Sequence, residues 1–148
     1  MTLLPSVSQS FAPDFLRAIP PALDHLIADV PGVRSAVVAT GDGFELAVAS
    51  NSGLSGERLA ALSSSMLALA QASLRELKIG GTGSVLVESS GGRLLIAEAA
   101  TQSWPVVLCV AADGETVAGK LLWAARRCVA ALEAASAPAT EFSTRRAP

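Results

Sequence analysis

Between Leu59 and Leu74 the chain carries no charged residue. Within the same stretch Leu59, Leu62, Met66, Leu69, Ala70, Ser73 and Leu77 recur at three- and four-residue steps, the spacing of a helix's apolar face. Opposite them stand Ala61, Ser64, Ser65, Ala68, Gln71 and Ala72, where a solvated helix would carry lysines and glutamates. Small uncharged side chains let another backbone come close. The pattern predicts a long helix with the leucines inward and its other side covered as well. An alanine-rich drift of composition is the alternative, and the covered helix is the preferred reading.

Around this helix the sequence reads as helix, two strands, helix, three strands, helix. Residues 1–20 hold three prolines and scattered apolar residues without helical spacing, which predicts an N-terminal arm. Pro21 suits a first helical turn, and Leu23, Leu26, Ile27 and Val30 share one face until Pro31-Gly32 stops the helix. Val33 to Thr40 is a β-branched strand. After Gly41-Asp42-Gly43, Phe44, Leu46 and Val48 alternate with Glu45, Ala47 and Ala49, completing a hairpin. Gly80, Gly81 and Gly83 end the long helix, and strands are expected at Ser84 to Ser89, Arg93 to Glu98 and Trp104 to Ala112. A last helix from about Glu115 to Glu133 turns Val117, Leu121, Ala124, Ala125, Cys128 and Leu132 inward and leaves Lys120, Trp123, Arg126 and Arg127 outside. The domain is expected over 21–135, with a loose tail over 136–148.

Several classes of function fall away. The net charge is −2, with no basic stripe carrying interleaved aromatics, so no nucleic acid is expected as a partner. The longest apolar run, Trp104 to Ala112, is about half of what a membrane-spanning helix requires, so no membrane insertion is expected. The N-terminus lacks the pattern of a secretory signal, which predicts a cytoplasmic protein. His25 is the single histidine, leaving no second imidazole for a metal site or a proton relay. No Gly-x-Ser-x-Gly elbow accompanies the serines, and carboxylate pairs such as Asp42 with Glu45 sit at turns where solvated charges are routine. No catalytic residue, metal or cofactor is assigned, and the chain is read as no enzyme. Gly80-Gly81-Thr82-Gly83 follows a helix, the reverse of a phosphate loop's order. Cys109 and Cys128 read as small buried hydrophobes. Trp123 is expected to be covered by the arm through Phe11 and Phe15, with a partner as the alternative cover.

The segment from Val30-Pro31-Gly32-Val33 through the apolar strand to Gly41-Asp42-Gly43-Phe44 resembles the opening hairpin of the roadblock/dynein light chain family. Glu57 to Leu62, Gly91 to Ala97, Val106 to Ala111 and Thr116 to Leu132 follow in the family's order, so the resemblance spans about Pro21 to Glu133. It implies an α+β sandwich of the roadblock/profilin-like kind: a five-stranded antiparallel sheet in the order 2-1-5-4-3, helices 1 and 3 on one face and helix 2 on the other. It also implies a homodimer in which second helices pack side by side and third strands pair edge to edge. Here that interface would comprise Ala61, Ser64, Ser65, Ala68, Gln71, Ala72, Ser84, Val85, Leu86, Val87 and Glu88. Bacterial members similar to MglB regulate small Ras-like GTPases, which implies a GTPase partner met by Arg58, Gln71, Arg75 and Lys78. Arg58, Arg75 and Arg93 are the arginines considered as a finger reaching into the GTPase, and none stands in a motif that identifies one. A scaffold in a larger complex, without effect on GTP turnover, is the alternative.

Overall fold

The computed structural model describes residues 11–81, 83–102 and 104–137. Within them lie helix α1 (Pro13–Asp29), strands β1 (Val33–Thr40) and β2 (Glu45–Ser50), helix α2 (Gly56–Glu76), strands β3 (Ser84–Ser89), β4 (Gly92–Ala99) and β5 (Val106–Asp113), and helix α3 (Ala118–Ser136). The strands form one antiparallel sheet in the order β2-β1-β5-β4-β3. Side chains alternate along each strand, so each strand feeds both faces. Val33, Ala36, Val38, Leu95, Leu108 and Val110 pack beneath α1 and α3, while Val37, Ala39, Ile96, Val107 and Cys109 pack beneath α2. The expected sandwich, with the first and third helices on one face and the second on the other, is the observed one. Among the described residues no helix is long and apolar enough to cross a membrane.

The first helix begins at Pro13, a turn and more before the expected start at Pro21. Phe15, Ile19, Ala22, Leu23 and Leu26 form one continuous buried stripe, and Phe11 stacks on Phe15 at 5.6 Å. Residues 13–20 are therefore part of the first helix, and Phe15 and Ile19 within them belong to the core. Pro20 and Pro21 deprive the carbonyls of Leu16 and Arg17 of helical partners, but both prolines lie on the exposed side, where water can serve instead. The start of the expected arm, residues 1–10, and the expected tail from 138 on lie outside the described residues.

Two further differences follow from local backbone geometry. In β2 the register slips at Leu46: Val38 faces Ala47 and Ala39 faces Glu45, so one extra residue bulges and reverses the alternation. Ala47 and Ala49 then pack toward the core, and Phe44 and Val48 are left outside with Leu46 alone buried. At the end of α2 the left-handed residue is Lys78 (φ 56°), not one of the glycines that follow. The Ile79 N–H donates to the Leu74 carbonyl at 2.9 Å across this turn. In α3, Val117 is an exposed cap residue, whereas Leu121, Ala124, Ala125, Cys128 and Leu132 are buried as expected.

The turn entering β1 is clamped to the turn leaving β5. Asp113 Oδ1 accepts from the Thr116 N–H at 3.0 Å and the Glu115 N–H at 3.1 Å, and the Asp113 N–H donates to the Gly32 carbonyl at 2.9 Å. A Cβ at position 32 would collide with the Thr116 hydroxyl, which is the reason for glycine there.

Because Phe15 is fully enclosed, Phe15→Ala is expected to cost about 3–5 kcal/mol of unfolding free energy. Urea denaturation of the full chain checks this, and a change near zero would return residues 13–20 to the role of an arm.

Candidate protein-interaction surface

A helix on a sheet normally turns its largest apolar residues inward, yet α2 does the reverse. Its fully buried residues are Ala60, Ser63 and Leu67, whereas Leu62 is 56%, Leu69 72% and Leu77 68% exposed. The expectation that the leucine stripe faces its own domain is corrected here. The sheet beneath is already filled by Val37, Ile96 and Val107, and small residues let α2 settle close to it. Ser63 keeps its hydroxyl satisfied by donating to the Leu59 carbonyl. Leu59 and Met66 are half-buried along the flank.

The outward face thus consists of Ala61, Leu62, Ser65, Ala68, Leu69, Ala72 and Ser73, all exposed and uncharged. Of the interface residues expected from the sequence, Ala61, Ser65, Ala68 and Ala72 stand on this face. Ser64 and Gln71 lean toward the domain: Ser64 donates to the Gly41 carbonyl, and Gln71 Nε2 donates to Glu98 Oε2 at 2.7 Å. The leucines at 62 and 69 were missing from that set, because periodicity alone cannot say which body an apolar stripe faces. An uncharged face with exposed leucines on a surface helix is the kind of patch through which proteins bind one another.

At the sheet's margin β3 has a single neighbour, β4, so one row of its backbone groups is free of sheet partners. Ser84, Val87 and Glu88 are exposed, and Val85 and Leu86 are half-buried. The strand carries neither proline nor lysine, the residues that usually discourage pairing at an edge.

The basic residues separate into two groups. Arg58 and Arg75 are exposed at opposite ends of α2, roughly 25 Å apart along the helix axis, and Lys78 is exposed just beyond. Arg93 is held: its Nε donates to Glu88 Oε1 at 3.0 Å, and its guanidinium also donates to the Gly114 carbonyl at 3.0 Å. Extension of Arg93 as a finger would require breaking both contacts. On the far side of the sheet Trp123 is half-exposed among the described residues, with the Arg127 guanidinium 4.8 Å from its ring; Phe11 and Phe15 are committed to the core instead.

The thiols are inert by position. Burial raises the Cys109 thiol, opposed by its hydrogen bond with Ser63, and burial pushes Cys128 up to about 11. Among the described residues no three His, Cys, Asp or Glu side chains gather into a metal-binding group.

Beside the first turn of α2, Glu45 is partly desolvated and faces the charge of Glu57, and both effects raise its pKa. The folded chain holds this proton more tightly than the unfolded chain, so ionised Glu45 opposes folding. That cost is absent at low pH and develops as pH rises past the ordinary value of 4.5. Glu45→Gln is expected to raise the urea midpoint at about pH 7, with the advantage vanishing toward about pH 4. Parallel denaturation curves at the two pH values test this.

The family model described as the Roadblock/LC7 domain matches residues 22–112. No curated protein matches the sequence. Among solved structures the chain is similar to the Roadblock/LC7 domain from Streptomyces avermitilis, with 25% identity over 74% of this chain and 89% of that one, and a TM-score of 0.66. It is also similar to the gliding protein MglB from Thermus thermophilus, with 21% identity, coverage of 85% and 93%, and a TM-score of 0.71. For MglB of Myxococcus xanthus the values are 18%, 84% and 90%, and 0.72. At these identities the two MglB structures speak to the fold.

Proposed function

The chain belongs to the Roadblock/LC7 domain family, and on that premise we propose that it is a non-enzymatic homodimer that binds a small Ras-like GTPase and modulates its nucleotide cycle. The observation that carries the reading is the outward face of α2: Leu62 and Leu69 stand in the open on a helix with no charge between Arg58 and Arg75. Two such faces packed about a two-fold axis would bury the leucines of both copies, and the β3 edges would continue the sheet across the dimer. The interface so proposed comprises Ala61, Ser65, Ala68 and Ala72 with Leu62 and Leu69, joined by Ser84, Val85, Leu86, Val87 and Glu88. The dimer would then offer exposed Arg58, Arg75 and Lys78 from both copies around the paired helices, as cations for an acidic partner surface. This regulatory reading comes from the resemblance of the chain to MglB, and a cytoplasmic site is part of the same proposal.

Leu69→Glu places two carboxylates in the proposed interface without partners. It is expected to convert the dimer to a monomer in light scattering, with the far-ultraviolet circular dichroism of the fold retained. A dimer of unchanged mass overturns the α2 interface. For the partner, the purified chain immobilised with GTP or GDP is expected to retain a small GTPase from native lysate in a nucleotide-dependent way. Addition of the chain to that GTPase is then expected to change its rate of GTP hydrolysis or nucleotide exchange. Retention of a large non-GTPase protein, indifferent to nucleotide, would favour the scaffold instead.

A further inference from the structure

Beyond the ends of β1 and β5, on the α2 side of the sheet, lies a cavity of about 530 Å³, within the size range of small-molecule sites. Leu67 and Val107 line its apolar part. Phe44 and Trp104, 47% and 57% exposed, contribute aromatic walls. Among the described residues its charged lining is Asp42 and Glu98, with no lysine, arginine or histidine. Neither carboxylate has an ion-pair partner among the described residues, where the pairs are Arg17 with Asp14, Arg93 with Glu88, and Arg127 with Asp29.

The surroundings of the cavity are braced. Gln71 Nε2 donates to Glu98 Oε2 at 2.7 Å and fixes that half-buried carboxylate. The Gly41 N–H donates to the Pro105 carbonyl at 2.9 Å, tying the β1–β2 turn to the segment that enters β5, and Ser64 of α2 donates to the Gly41 carbonyl. The Phe44 N–H donates to Thr40 Oγ1 at 3.1 Å and fixes the turn beneath the phenyl ring. A cavity braced in this way loses little freedom when it is filled.

We infer that this cavity receives an organic cation, and that a guanidinium group is the chemistry it fits best. Two unpaired carboxylates attract a cation, and aromatic rings add the attraction of their π faces. The further oxygen-bearing side chains of the lining, Thr40, Ser64 and Gln71, are engaged in hydrogen bonds within the chain, and the rest of the lining is mainly rings and aliphatic groups, a poorer match to a hard metal ion than to an organic cation. A guanidinium is planar, is less strongly hydrated than an ammonium, stacks on aromatic rings, and presents its N–H donors as a fork to carboxylates. Leu62 and Leu69 do not line the cavity, but Ala68 does, so the site borders the α2 face proposed to pair. The guanidinium has two sources, an arginine side chain on a protein segment or a free small molecule.

The test uses the full chain with Trp123→Phe, which leaves Trp104 as the sole indole of the two in the sequence. N-acetylarginine amide, and separately a glycine-serine octapeptide bearing one arginine, are titrated while Trp104 fluorescence and the indole N–H resonance are followed. Saturable shifts are expected for the arginine probes and none for their citrulline counterparts, which keep the shape and lose the charge. Asp42→Asn with Glu98→Gln is expected to weaken binding at least about tenfold, and Asp42→Asn alone, at an exposed position, to weaken it several-fold. Tighter binding of the peptide than of the amide assigns the site to a protein-borne arginine. Equal affinities assign it to a free cation, and both results uphold the guanidinium chemistry. Equal shifts with citrulline, or unchanged affinity in the double variant, overturn it.

Discussion

The pairing of β1 with β5, from Thr40 opposite Val106 to Val33 opposite Ala112, sets the chain's most apolar segments side by side at the centre of the sheet. Because neighbouring side chains point to opposite faces, neither face of this pair can meet water, and the helices must be divided between the two. The division is unequal. α1 and α3 meet the sheet and each other with large residues, Phe15, Leu23, Leu26, Leu121 and Leu132, and build the larger core. α2 faces the second surface alone and meets it with Ala60, Ser63 and Leu67.

That asymmetry explains which parts of the architecture were readable from residues alone. The strand β3 was legible to its ends, since Val85, Leu86 and Val87 are bounded by serines and glycines, and β1 was legible from its β-branched run into Gly41-Asp42-Gly43. α1 was misjudged because the Pro20-Pro21 pair looks like a helix start, and only the sheet beneath reveals Phe11, Phe15 and Ile19 as one stripe with Leu23. The bulge at Leu46 left no mark in the pattern, because Ala47 and Ala49 pass equally well for exposed or packed positions.

The candidate surface was legible in its chemistry and not in its orientation. Absence of charge on α2 pointed to a second covering body, while the leucines were assigned to the wrong side. A hydrophobic stripe records only that something apolar lies opposite, and the choice between sheet and partner rests on how well the sheet is already filled. Gln71 and Ser64 were drawn into the expected interface by their spacing with Ala68. Their partners, Glu98 and Gly41, are distant in sequence, so nothing local could have pulled them away.

The small footprint of α2 has a thermodynamic consequence. A helix of 21 residues that seats three of them fully against its sheet gains modest stability from its own domain. In the α2-paired dimer proposed above, cover over Leu62 and Leu69 would add to that gain, and such cover obeys mass action. The helix would then melt at a temperature that rises with protein concentration, while β1, β5, α1 and α3 would keep a protection that dilution does not touch. Folding and assembly would then be linked at this helix, which the single copy still forms, and independent elsewhere in the chain.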